Sequence, residues 1–135
     1  MAIQYSLTHR TNAMTQLNTD IGANAVIKIF TGSAPANCGT ADSGTNIATF
    51  AGNAGGFGTA ASQVLTASAV ASTTGIGGGG TAGYFRIYPS GATTTNAVVQ
   101  GTCGLSAADM ILTNTNIASG QTVNFTSLTV TAFGV

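Results

Sequence analysis

Hydrophobic and polar positions alternate from the start of the chain. Ile3, Tyr5 and Leu7 are interleaved with Gln4, Ser6 and Thr8, which predicts a strand-like N-terminal arm. Asn12, a residue type suited to capping, then precedes Met14, Leu17 and Ile21 at i, i+3 and i+7, and Gly22 follows near the place of a helix C-cap. This spacing predicts a short, two-turn helix over residues 13–20. Such a helix is not stable alone, so its apolar face must dock on something. Past Gly22 the period changes to that of strands. Residues 25–31 (AVIKIFT) are β-branched and apolar, and residues 32–37 (GSAPAN) read as a loop. Further strands are predicted at 46–51, 63–72, 81–88 (closed by Pro89-Ser90-Gly91), 97–101, 110–114 and 122–133. In the last of these neither alternating set is purely polar, so both faces should meet something apolar.

About seven short, Thr-rich, Gly-punctuated strands predict an all-β fold, an antiparallel β-sandwich or jelly roll with a short N-terminal helix. The expected organisation is an arm and helix over 1–22 and a single β-sandwich domain over 23–135. The strands do not alternate with helices, which excludes a doubly wound α/β fold, and no fixed-period repeat is present. Residues 51–62 and 73–80 are expected to be long loops, with Gly77–Gly80 the most flexible point.

Composition sharpens this picture. The 135 residues suit one domain, and only 4% are charged, against roughly 25% in ordinary soluble proteins. The charges are Arg10, Lys28, Arg86, Asp20, Asp42 and Asp109, with no Glu and a formal net charge of zero. A nucleic-acid binder is excluded, because neutralising phosphates takes clustered Lys and Arg. Disorder through high net charge is excluded as well. A surface of Thr, Ser, Asn and Gln with so little charge repels its neighbours weakly, so the composition suits a subunit of a permanent assembly. The N-terminus has no basic start followed by an apolar run, and no 18-residue apolar segment exists, so neither a secretory signal nor a membrane span is expected. The chain reads as a product made in a cytoplasm.

Candidate chemistry is sparse. Cys38 and Cys103 allow one disulfide, but a cytoplasmic product keeps thiols reduced, and free, partly buried thiols are expected; no second Cys or His stands at zinc-ligand spacing. Gly78-x-Gly80-x-x-Gly83 has the letters of a dinucleotide fingerprint, but it leads into the predicted strand Tyr84–Tyr88 instead of a helix N-terminus, so it is read as a mobile loop. His9, the single histidine, stands beside Arg10 and has no evident partners for nucleophilic catalysis. Asn124-Phe125-Thr126 is a glycosylation sequon by letters, expected inside a strand. Arg86 lies in a strand between Phe85 and Ile87, where a charge needs a partner. Two readings stand: a satisfied strand arginine near Tyr84 or Tyr88, with Asp20, Asp42 or Asp109 as the available carboxylate, or a bidentate pair between subunits. No catalytic, cofactor-binding or metal-binding residue is assigned, no cofactor is expected, and the chain is read as a non-enzyme.

Several segments form a series in order: AIQYSLTHR (2–10), IGANAVIKI (21–29), TGSAPANC (31–38), ADSGT (41–45), TAGYFRIY (81–88) and IASGQTV (117–123). This series resembles a family of small Gly/Thr-rich virion structural proteins of tailed bacteriophages; residues 51–80 lie outside the resemblance. The resemblance implies a virion component, foremost a capsid decoration, or cement, protein sitting on the shell as a homotrimer. It would be made in the bacterial host cytoplasm, would reside on the capsid surface and would bind the major capsid protein. It implies no catalytic residues, and the charge and hydropathy readings above add the expectation of no nucleic-acid and no membrane partner. A tail, neck or fibre component touching the host surface through Gly-rich loops is the alternative, and a small hydrolase or lectin-like module is a third reading from another class.

Overall fold

The computed structural model describes residues 3–51, 57, 60–67, 72–89 and 96–132. The protein is mostly β-sheet with one N-terminal helix. The helix, α1 (Leu7–Ile21), is 15 residues long and starts well before the predicted 13–20. It begins early because the Ser6 hydroxyl accepts a hydrogen bond from the His9 amide at 3.2 Å, so Ser6 and not Asn12 is the N-cap. Leu7 and Thr8 are therefore helical, and only Ile3–Ser6 remain of the expected strand-like arm. Thr15 and Thr19 bond back to the carbonyls of Thr11 and Thr15 (3.0 and 3.1 Å), which occupies hydroxyls that would otherwise compete with the helix. Gly22 ends it at φ +74°, donating to the Asn18 carbonyl at 3.0 Å. The predicted face holds: Met14 and Ile21 are buried and Leu17 packs beside them.

The strands are β1 (Val26–Thr31), β2 (Asn46–Phe50), β3 (Val64–Thr66), β4 (Thr73–Thr74), β5 (Gly80–Tyr88), β6 (Val99–Gly104), β7 (Met110–Leu112), β8 (Asn116–Ile117), β9 (Thr122–Val123) and β10 (Phe125–Thr131). One sheet runs β2-β1-β5-β6-β7-β10-β3, with β8 beside β5, and curls strongly into a half-barrel; β4 and β9 form a separate pair. The pairing is mixed and the main sheet is a curled half-barrel, not clearly a sandwich, which corrects the expectation of an antiparallel β-sandwich or jelly roll. β6 and β7 run parallel, matched at Cys103–Met110 and Gly104–Ile111. A parallel ladder normally needs a long crossover. Here the ladder is two pairs long, and a loop turning at Ala107 (φ +50°) suffices to return the chain. The sequence expectations for 25–31, 46–51 and 81–88 match β1, β2 and β5 closely. The predicted 122–133 segment is instead divided into β9 and β10, and the register slips between Phe125 and Ser127. That slip brings Val123, Leu128 and Ala132 to the core despite their different parity.

β5 is the central element, buried on both faces. Phe85 and Ile87 join Ile27, Ile29, Met110 and Leu128 in the main core, which α1 covers with Met14 and Ile21. Tyr84, Arg86 and Tyr88 point the other way, under residues 32–45 of the β1–β2 connection. Gly77–Gly80, expected from its composition to be a loop, forms a turn that runs into β5. The Ile76 amide donates to the Ile47 carbonyl at 2.9 Å, Gly79 turns at φ +73° against the Ile117 carbonyl, and Gly80 already belongs to β5. Among the described residues, no helix is long and apolar enough to cross a membrane.

Candidate functional site

Two features stand out: a polar cluster around Arg86, and a cleft between β6 and β10. Arg86 is fully buried, and each of its five N–H donors is used. Nη1 donates to the Thr40 carbonyl and to Asp42 Oδ1, both at 2.8 Å. Nη2 donates to the Asn37 carbonyl and to Gln100 Oε1, both at 2.9 Å, and Nε reaches the same Gln100 oxygen at 3.2 Å. Gln100 in turn donates to the Pro35 carbonyl at 2.8 Å, and the Tyr88 hydroxyl donates to Asp42 Oδ1. Tyr84 stacks on Phe30 at 5.0 Å and hydrogen-bonds the Ser43 backbone, while Lys28 Nζ lies 4.8 Å over the Tyr88 ring. The alternation of β5 creates this cluster, because Tyr84, Arg86 and Tyr88 must share a face.

Electrostatics follow the same geometry. Burial pulls the Arg86 guanidinium pKa down, but its bonds to Asp42 and Tyr88 and their charges outweigh this, and the net shift is upward. Burial, then the bond to Asp42, pushes the Tyr88 phenol above its ordinary value. A phenol whose folded pKa is raised contributes stability below about pH 10, the unfolded value, and loses it as pH rises toward the folded one. The melting temperature should therefore fall steeply above about pH 10, and Tyr88→Phe should flatten that decline in a pH series followed by circular dichroism.

The arrangement settles Arg86 as the satisfied strand arginine. Its carboxylate is Asp42 of the same chain, through one oxygen, and a bidentate pair between subunits has no donor left to form it. With its five donors saturated, Arg86 fastens the β1–β2 connection to the sheet. The other singled-out residues are dispersed. His9 is exposed on the first turn of α1, its ring stacked on Tyr5 at 5.3 Å, and Arg10 is half-buried beside it. Asp20 accepts from Gln16 at 2.9 Å. Asp109 accepts from the Thr102 amide and hydroxyl at 2.8 and 2.9 Å. Cys38 and Cys103 are both free thiols and half-buried. Gly78 precedes β5 while Gly80 and Gly83 lie within it, and Asn124 sits exposed in the one-residue break between β9 and β10, not inside a strand. Among the described residues, no group of three His, Cys, Asp or Glu side chains could hold a metal.

Burial, with a smaller push from the Asp109 charge, raises the Cys103 thiol to about 12. Its thiolate is therefore scarce at neutral pH, and Cys103 should alkylate at least roughly a hundredfold more slowly in the folded protein than in urea. Peptide mapping after timed iodoacetamide treatment checks this.

The cleft arises where β7 stops. Met110 pairs with both Cys103 of β6 and Leu128 of β10, so β7 separates these strands at that level. Beyond it, no strand among the described residues lies between Val99–Thr102 and Thr129–Thr131. Two openings, of about 360 and 580 Å³, share Val99, Gln100, Val130 and Thr131 as walls. The larger extends to Met14, Leu17 and Asp20 of α1 and to Cys38; the smaller extends to Phe85 and Asp109. Sequence reasoning missed both the cleft and the roles of Gln100 and the 35–42 carbonyls, because a strand that stops short leaves no mark in composition. No protein-family model, curated protein or solved structure matches the chain.

Proposed function

We propose that this chain is a non-enzymatic virion structural protein of a tailed bacteriophage, a capsid decoration protein that binds where major capsid subunits meet and stabilises the shell. The ordered series of segments from AIQYSLTHR to IASGQTV carries this reading. Two features of the molecule support it. The surface is nearly uncharged, and the one ion pair among the described residues, Arg86–Asp42, is spent inside the subunit. Large apolar side chains, Ile3, Leu7 and Leu105, are meanwhile more than half exposed. The preferred assembly on this reading is a homotrimer.

Attachment through apolar and backbone contacts should change little between low and molar salt, since little charge is available to be screened. Release of the protein from virions by salt alone, with retention in mild denaturant, would contradict the proposal. The decisive observation is an image reconstruction of the virion. Density on the outer shell at a copy number near that of the capsid subunit is expected, and density confined to tail or neck overturns the capsid assignment.

A further inference from the structure

We infer that the cleft between β6 and β10 is a strand acceptor, and that its occupant is the N-terminal arm, Ile3–Ser6, of a second copy of this chain. Because β7 pairs with both neighbours at Met110, the two walls stand two strand spacings apart there, about 9.6 Å, leaving room for one further strand. The hydrogen-bonding edges are set out for it. The Thr102 amide turns toward the β7 side, where it meets Asp109, so alternation places the Gln100 backbone on the same edge. On β10, the Leu128 carbonyl and the Ala132 amide bond to Ala67 and Gln63 on the β3 side. The backbone groups of Thr129 and Thr131 consequently face the cleft. Two strand edges that face each other with no strand between them among the described residues form a template for β-addition.

The arm fits this template in conformation, pattern and charge. Ser6 is extended (φ −62°, ψ 152°), and Ile3 is 81% exposed in its own chain. Ile3 and Tyr5 alternate with Gln4 and Ser6. The α1-side opening offers Met14, Leu17, Val98 and Val130 to the apolar pair, and the Asp109-side opening offers Gln100, Thr129 and Thr131 to the polar one. Asp20 and Asp109, two of the three carboxylates of the chain, line the openings without an ion pair among the described residues. The first turn of α1, which follows the arm, carries His9, and no acid precedes Asp20. Self-insertion is disfavoured by reach. The α1 wall begins at Ala13, about 10 Å along the helix from Ser6, and a four-residue arm of about 13 Å would have to reverse direction and still lie in the cleft.

This extends the assembly reading by specifying how copies join, and it stands on the cleft geometry and not on the virion assignment. The test is cross-linking of mixed copies of the full chain. Ile3→Cys is introduced together with Cys103→Ser, leaving the native Cys38 at the larger opening, and tagged and untagged chains are mixed and treated with a short bismaleimide. The expected product joins Ile3→Cys of one chain to Cys38 of the other, and it disappears in Cys38→Ser. In parallel, Ile3→Asp, an exposed change that leaves the far-ultraviolet spectrum unaltered, should shift sedimentation from oligomer to monomer, as should an excess of a peptide of residues 2–8. Adducts confined to single chains overturn the inference in favour of self-insertion. Association that survives Ile3→Asp without the adduct overturns arm exchange while leaving the oligomeric reading intact. A full chain that is monomeric at micromolar concentration overturns both arm exchange and self-association.

Discussion

Replacing Arg86 with Met is expected to lower the unfolding free energy by about 3–5 kcal/mol, the usual cost of removing one member of a buried, hydrogen-bonded ion pair. Met approximates the arginine stem in length, so cavity formation is a minor part of the loss. The main part is what the guanidinium leaves behind. Asp42, the Gln100 side-chain oxygen, and the Asn37 and Thr40 carbonyls all lose a donor at once. Unpaired polar groups in an enclosed setting each cost on the order of 1–3 kcal/mol, partly relieved where the loop opens to water. Relief by opening has a predictable signature. The 35–42 stretch should exchange its amide hydrogens faster in Arg86→Met, while β1 and β5 keep their protection. Chemical denaturation gives the energy, and a loss smaller than about 1 kcal/mol would show that the cluster is not what holds the connection down. Asp42→Asn is the informative companion. It keeps an acceptor for Arg86 and Tyr88 but leaves the guanidinium without a counter-charge, so its cost should fall between wild type and Arg86→Met.

Much of this cluster was legible in the sequence, though not its wiring. A charged residue flanked by Phe85 and Ile87 in a strand announces a buried arginine on the opposite face, and the scarcity of acids left three candidate partners. What one strand cannot specify is the partner loop. Asn37, Thr40 and Pro35 contribute backbone carbonyls, which every residue possesses, so nothing in their side chains marks them. The stronger clue was the i, i+2 set Tyr84, Arg86 and Tyr88, three side chains with polar tips on one face, which indicates a polar layer and not a solvent face.

The elements divide in the same way. Strands fixed by β-branched runs, such as β1 and β5, lay where periodicity placed them, because their burial is dictated locally. The helix was misjudged at its start, since Ser6 and Asn12 are both competent caps and the alternation of Ile3, Tyr5 and Leu7 is equally available to an arm leading into a helix. The parallel β6–β7 pair was invisible for a different reason. It is two residues long and depends on a loop that takes a positive φ at Ala107, a residue type that gives no warning of it.

Gly83→Ala is expected to destabilise the protein by about 3 kcal/mol or more, although Gly83 lies within a strand where alanine is ordinarily harmless. A Cβ at this position would stand 1.9 Å from the Gly32 carbonyl oxygen and 2.9 Å from the Gly32 carbonyl carbon. Both are backbone atoms, so no side chain can rotate away. The close approach has a structural cause. The β1–β5 register slips between Phe30 and Thr31, so that Tyr84 faces Phe30 while Ala82 faces Thr31, and Gly83 lies where the end of β1 crosses over it. Moving Gly32 aside would pull on Thr31, whose amide donates to the Thr45 carbonyl at 3.0 Å and whose hydroxyl accepts from the Thr45 amide at 2.9 Å. Strain at Gly83 would thus travel into the same connection that Arg86 fastens. Gly22→Ala supplies the control: its φ of +74° carries a conformational cost of about 1 kcal/mol, but a Cβ there meets nothing within 4 Å. In thermal unfolding Gly83→Ala should lose about 10 °C or more, Gly22→Ala a few degrees. Equal losses in the two variants would mean that backbone conformation, and not the crossing of β1 over β5, sets the cost at Gly83.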